Sequence, residues 1–287
     1  MTAGSPPNRF VDEQRAANQS TLAWFAEYQE HRERMTRLLV EGIPTGSALR
    51  LCVLGAGNTH DLDLAKLAEH FSEIHLVDVD REALEGAHAR QPEDISKKLV
   101  LHAPLDLTGF LGKLDAWSRM EVTEEEMLTH PVRTAKELAQ RLGTFDLVVS
   151  ACVITQMQLS ALTALGDAHR LFDAVRHTLA LTHLHTLFEL TAVGGRALLV
   201  TDVLSNQNYR YLDKLAADAN FMQVLTDVIA AERVIYVARP GLFHLLARQD
   251  PVLGKRATLS PPLAAWLWRN GPESRFLVYA MSLTHKA

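Results

Sequence analysis

Between residues 49 and 205 the sequence alternates short, almost wholly apolar runs with longer segments of helical character, and few folds accommodate that order. The runs are "LRLCVLG", "EIHLVDVD", "KKLVLHAPLDL", "FDLVVSACV" and "GGRALLVTDVL", and helix-forming sequence such as "LDLAKLAEHF" and "REALEGAHAR" separates them. A strand that is apolar on both faces has to be covered on both faces, unlike a strand of an antiparallel sheet with one wet side. The alternation therefore predicts an α/β fold, a parallel sheet with helices on both faces. Two later runs, "GLFHLLARQ" and "SRFLVYAMSL", read as strands and bring the sheet to seven. Between them a Pro-containing connection leads to a short helix at "LAAWLWR". Longer helices are expected at "HRLFDAVRHTLALTHLHTLFEL" and "YRYLDKLAADANFMQVLTDVI".

Ahead of the sheet, residues 1–19 are rich in Pro, Ser, Asn and Gln and read as loose. Residues 21–42 read as one helix, capped by Ser20 or Thr21 and stopped by Gly42, with Pro44 just beyond. This divides the chain into a tail with a helical lid, 1–46, and a main domain, 47–287, interrupted by a helical, acid-rich insertion at about 108–143. The 34 acidic residues outnumber the 29 Lys and Arg, and basic clusters such as "EHRERMTR" are interleaved with acids. No electrostatic footprint for nucleic acid is present. No apolar run approaches a membrane span, and "MTAGSPPNRF" lacks the charged-then-apolar pattern of a signal peptide. Cys52 and Cys152 both sit inside apolar runs, as buried thiols in a reducing compartment would. The expectation is a cytoplasmic protein without nucleic-acid or membrane partners.

Ligands of parallel sheets bind at the carboxyl ends of the strands, so the polar residues following each strand carry the functional reading. After the first come Gly55, Ala56 and Gly57, then Asn58, Thr59, His60 and Asp61. Glycines permit a tight turn and close backbone approach, and the next helix offers free N–H groups. Asp78 lies 21 positions beyond Gly57, the reach at which an acid meets a ribose diol on the neighbouring strand. Its carboxylate can accept both hydroxyls, with Val79 beside it and Asp80 left to cap the following helix. Asp106, followed by Leu107, stands near the top of the sheet, where an adenine amino group could donate to it. Ser150, Ala151 and Cys152 would line the pocket floor after the fourth strand, with Gln156 just beyond.

Together these residues resemble a class I S-adenosylmethionine-dependent methyltransferase over about residues 50–283. The glycine loop, Asp78 within "VDVDREAL", Asp106, "FDLVVS", "GGRALLVTD" and the late "RFLVYAMSL" carry the resemblance in order. It implies a Rossmann-like, mostly parallel sheet, S-adenosylmethionine as cofactor, no metal, and a small-molecule acceptor methylated by in-line displacement. Carried over position by position, the cofactor contacts are Gly55, Ala56, Gly57, Asn58, Asp61, Asp78, Val79, Asp106, Leu107, Ser150, Ala151, Cys152 and Gln156. The sequence departs from the family at Val53, where an acid is usual, and at Thr59, where a third loop glycine is frequent. His60 and Asp61 then fall where the methionine amino and carboxylate groups would be handled.

Two other readings compete, an NAD(P)-dependent oxidoreductase and a non-catalytic nucleoside-binding module. The dinucleotide fingerprint wants a glycine at position 60, where the His60 side chain would obstruct close helix packing. Tyr211 and Lys214 are one residue short of a Tyr-x-x-x-Lys pair.

Methyl transfer needs alignment more than acid–base power, with a base only where the acceptor must lose a proton. Asp202, at the end of the fifth strand, is the first candidate base, and Tyr28 and His31 are alternatives. Trp24, Phe25 and Tyr28 are expected to face inward from the lid helix, where ring faces suit a sulfonium cation. His177, His183 and His185, spaced six and two apart, share no helix face and read as packing residues. The run "EVTEEEML" reads as a solvated face, and Trp266 and Trp268 as core or pocket wall.

Overall fold

The computed structural model describes residues 8–114, 123–216, 218–235 and 238–286. Residues 1–7 of the tail, and the first two of "EVTEEEML", lie outside the described residues. Strands β1 (Arg50–Leu54), β2 (Glu73–Val77), β3 (Leu99–His102), β4 (Phe145–Ala151) and β5 (Thr191–Ser205) pair in parallel in the order β3-β2-β1-β4-β5. This is a doubly wound, Rossmann-like sheet whose order reverses between β1 and β4, where ligands of such sheets bind. Beyond β5, the twelve-residue β8 (Ser274–His285) runs antiparallel. Its outer edge carries β6 (Ala257–Leu259) and β7 (Ala264–Asn270) end to end, residues 257–259 against 283–285 and 264–270 against 274–280. Pro261 and Pro262 fill the gap, tolerable on an edge strand because a proline cannot donate to a ladder. The sheet thus has eight strands where the sequence predicts seven.

Neighbouring residues of each strand belong to opposite cores. Cys52, Leu54, Val148, Leu199 and Tyr279 pack on one face of the sheet, and Leu51, Val53, Val149, Leu198 and Val278 on the other. The period-two alternation of side chains places them so, and it explains why the runs are apolar throughout. The helices are α1 (Arg9–Thr21), α2 (Gln29–Val40), α3 (Leu64–His70), α4 (Arg81–Ala89), α5 (Glu93–Ser96), α6 (Glu124–Leu142), α7 (Ile154–Leu165), α8 (Phe172–Leu190), α9 (Phe221–Ala230), α10 (Pro240–Gln249) and α11 (Leu253–Arg256). None among the described residues is long and apolar enough to cross a membrane. Both cysteines are free and buried. His183 and His185 are buried packing residues, tying α8 to Ser150 and Asp250.

Several local expectations change. "GLFHLLARQ" lies in helix α10, with Pro240 in its first turn, where the fixed φ suits a helix. "LAAWLWR" lies in strand β7, whose Ala265, Trp266, Leu267 and Trp268 are all buried. Both segments are short and mostly apolar, so period alone does not separate them. "ITQMQLSALTAL" forms α7, hidden in the sequence by its uninterrupted continuation from β4. Most of the tail read as loose is α1, whose N-cap Asn8 accepts from the Phe10 N–H. The single helix expected at 21–42 is broken, a 3-10 turn at Leu22–Trp24 and a bend separating α1 from α2. Neither Ser20 nor Thr21 caps α2, whose N-cap is Tyr28. The break lets α2 pack beside β7 while α1 crosses toward α4.

A buried hydrogen bond from the Tyr279 hydroxyl to the Ala238 carbonyl, 2.6 Å long, ties β8 to the segment before α10. Tyr279→Phe keeps the ring and orphans the carbonyl, an expected loss of about 1–2 kcal/mol in urea unfolding, with the m-value unchanged.

Candidate functional site

At the carboxyl ends of β1, β2 and β4, two hollows with cavity volumes of about 50 and 120 Å3 share Gln14, Gly55, Asp78 and Gln156, and so form one cleft. The smaller is walled by Val79, Leu105, Leu107, Val153 and Met157, with Asp106 at its rim. The larger holds the turn from Gly55 to Asp61, faced by Tyr28, Trp268 and Asn270.

The turn after β1 is built by backbone demands. Gly55 has φ +75°, and a Cβ there would stand 2.7 Å from that of Val153. Only glycine meets both conditions without strain. The Gly55 and Ala56 N–H groups donate to the Val77 carbonyl at 2.9 and 3.1 Å, drawing the turn onto the end of β2. The Gly57 N–H then reaches Asp78 Oδ2 at 2.8 Å, while Asp78 Oδ1 accepts from the Asp80 N–H at 2.9 Å. Burial pushes the Asp78 carboxyl up to about 6, against the pull of those N–H groups. Asp80 caps α4 through the Glu82 and Ala83 N–H groups, as the sequence implies, and its Oδ2 accepts from Asn18 Nδ2 at 2.9 Å. Asn58 Nδ2 donates in turn to the Asn18 carbonyl, at 2.6 Å, and to Thr21 Oγ1. Helix α1 is thereby clipped over the glycine turn, presenting Gln14, Ala17, Asn18 and Thr21 to the cleft.

Asp106 is occupied within its own loop: it accepts from the Thr108 N–H and hydroxyl, both at 2.7 Å, and from the Leu111 N–H at 3.0 Å. His130 on α6 donates to the Thr108 carbonyl at 2.7 Å and stacks on Phe110 with ring centres 3.6 Å apart. The insertion helix therefore buttresses this rim of the cleft.

The residues expected to act on a proton lie differently from the sequence reading. Asp202 is buried outside the cleft lining and accepts from Thr155 Oγ1 at 2.5 Å. Strand β5 continues to Ser205, so Asp202 is not at the strand's end but under the first turn of α7. Tyr28 lines the cleft, but its hydroxyl donates to Asn270 Oδ1 at 2.6 Å and burial pushes its pKa strongly up, so it keeps its proton. His31 is buried behind the cleft, stacked on Trp268. Ser150 is buried against His183, again outside the lining. Cys152 does line it, but burial holds its thiol well above the usual range and so protonated. Of the aromatics expected to face inward, Trp24 packs on Gly271 and Phe25 is half exposed. The remaining loop and strand-end residues, Ala56, Asn58, Asp61, Val79, Leu107, Ala151 and Gln156, all line the cleft. Sequence reasoning missed Gln14, Asn18 and Asn270. Asn18 and Thr21, three apart on one helical face, were the signal available once Asn8 had been read as a cap.

Asp78 and Asp202 both carry folded-state pKa values near 6, above the ordinary 3.8. Each favours the folded state fully below about pH 4 and loses that contribution as pH rises through about 6. Asp202→Asn, which can still accept from Thr155, is expected to flatten this decline when urea unfolding is followed across that range.

The chain matches no family model and no curated protein. It is similar to several solved structures. YcgJ protein from Bacillus subtilis is 11% identical at TM-score 0.43, over 88% of this chain and 98% of that one. An rRNA methylase from Streptococcus thermophilus is 13% identical at TM-score 0.35, over 86% and 92%. A precorrin-6y C5,15-methyltransferase from Geobacter metallireducens GS-15 is 11% identical at TM-score 0.38, over 90% and 89%. At these values the likenesses decide nothing about activity, and the Rossmann-like fold rests on the chain's own strand order, β3-β2-β1-β4-β5 followed by the reversed β8.

Proposed function

We propose that this chain is an S-adenosylmethionine-dependent methyltransferase acting on a small-molecule acceptor. One observation carries the reading: Asp78 stands where an apolar slot and a polar hollow meet, beside a turn that only glycine can form. A ligand with a nucleoside at one end and a polar, charged group at the other matches that division. Val79, Leu105, Leu107 and Met157 suit a base, and Asp78, with lone pairs still open toward the cleft, suits a ribose diol. At the opposite end His60 and Asp61 line the polar hollow, and His60 Nδ1 is buried without a hydrogen-bond partner among the described residues. His60 is held neutral, because burial lowers its pKa and Arg90 and Arg32 reinforce the effect over the opposing Asp61.

When bound, the cofactor supplies a methyl group activated by its sulfonium. The protein's part is alignment and the exclusion of water, which keeps the electrophile for the intended nucleophile. Tyr28, Trp268 and Asn270 close the end of the cleft where an acceptor would lie, and α1 roofs it. With Asp202 outside the lining, no base is assigned to the acceptor. A nicotinamide dinucleotide fits less well, since His60 fills the third fingerprint position and packs edge-on against Tyr28 and Phe25.

Calorimetry is expected to detect S-adenosylmethionine and S-adenosylhomocysteine in preference to NAD; tight NAD binding with no response to the sulfonium would overturn the reading. Asp78→Ala should weaken either ligand by about 1.5–3 kcal/mol. The clip over the turn predicts a kinetic effect as well. Asn18→Ala removes one bond from α1 to Asp80, and release of S-adenosylhomocysteine in stopped flow should speed about fivefold with association little changed. Unaltered release would make α1 a fixed wall rather than a lid.

A further inference from the structure

We propose that Asn270 and Trp268 bind the carbonyl oxygen of an uncharged acceptor, with Tyr28 as the positioning residue that turns the Asn270 amide toward it; this rests on the methyltransferase reading above. The Tyr28 hydroxyl lies 2.6 Å from Asn270 Oδ1 and has no other partner among the described residues. Tyr28 is buried, and burial keeps its hydroxyl protonated. A buried hydroxyl has to place its proton on an acceptor, so the amide oxygen faces Tyr28 and the amide nitrogen faces away. Asn270 lines the polar hollow, and its Nδ2 meets no acceptor among the described residues. Two N–H donors of a fixed amide are therefore left for a ligand.

Trp268 adds a third donor. It stands two residues before Asn270 on β7, so both side chains project from one face of the strand. Its ring lines the same hollow, and its Nε1 is sealed from solvent without a hydrogen-bond partner among the described residues. An indole nitrogen can only donate, and burying it unpaired is unfavourable until a ligand supplies the acceptor. Charge narrows the choice of ligand. No Lys or Arg among the described residues lines the hollow, whose acidic members are Asp61 and Asp78. Arg32 donates to the carbonyls of Phe25 and His60, and Arg90 to that of Asn58. An anion would meet carboxylates and no cation, and an ammonium would bring donors to donors. An uncharged carbonyl oxygen has two lone pairs and can accept from both residues.

Three ligands of one shape test this on the full chain, both free and saturated with S-adenosylhomocysteine: benzamide, benzoate and benzamidine. They share a ring that suits the aromatic walls and differ in the group it carries, an uncharged carbonyl, an anion and a cation. The readout is the indole N–H resonance of Trp268 in isotope-labelled protein, identified by its loss in Trp268→Phe. Benzamide is expected to move that resonance downfield and to bind about tenfold more tightly than benzoate or benzamidine. Asn270→Asp still accepts from Tyr28 but donates nothing; it should weaken benzamide about tenfold and reverse the order in favour of benzamidine. Tyr28→Phe frees the amide to turn and should weaken benzamide about threefold. S-adenosylhomocysteine affinity within about twofold of the unaltered chain certifies that each variant is folded. Benzamide binding no tighter than the other two, or leaving the Trp268 resonance in place, overturns the proposal. So does an Asn270→Asp chain that loses S-adenosylhomocysteine but keeps 5′-methylthioadenosine, since Asn270 would then hold the amino-acid end of the cofactor. If S-adenosylhomocysteine fails to bind the unaltered protein, the cofactor reading falls, and the titrations of the free chain still decide whether the hollow takes a carbonyl compound.

Discussion

The hydrogen bond from the Gly57 N–H to Asp78, 2.8 Å long, ties the turn after β1 to the residues that follow β2. It closes the glycine turn against the end of β2, where the Gly55 and Ala56 N–H groups already hold the Val77 carbonyl. Burying a carboxylate is unfavourable unless its lone pairs are met, and here two backbone N–H groups meet them from opposite sides. The residual penalty is visible in the carboxyl's rise to about 6. From the Asp80 N–H the connections run outward, to the cap of α4, to Asn18, and through Asn58 to the last turn of α1. The roof of the cleft therefore hangs from the same turn that forms its floor.

The cleft is closed by segments from both ends of the chain. Tyr28 bonds Asn270 across 242 positions and Trp266 bonds His31 across 235. The break between α1 and α2 makes this possible, because one continuous helix could not both cross the turn and lie beside β7. Such construction places aromatic walls where the sheet alone would leave the strand ends open to water. It also commits Tyr28 to enclosing the cleft, since its hydroxyl bonds a neighbour rather than a substrate. If methyl transfer is the reaction, that division suits it, because position matters there more than proton movement.

What could be read directly from the residues was local. The apolar runs of β1 to β5, the glycine turn and the cap at Asp80 all follow from patterns spanning about twenty residues or fewer, where periodicity, φ preference and capping act. The tertiary structure decided the rest. It made a helix of "GLFHLLARQ" and a strand of "LAAWLWR", since short, mostly apolar segments take the form their neighbours leave room for. It carried β5 past Asp202 and so buried a carboxylate that the sequence offered to the cleft. It turned residues 8–19 from an apparently loose tail into most of the helix that roofs the cleft, because Asp80 and Asn58 anchor that helix from outside it. The bond from Trp266 to His31 belongs to the same class. No local rule relates residues 235 positions apart, and only the packing of β7 against α2 brings them into hydrogen-bonding range.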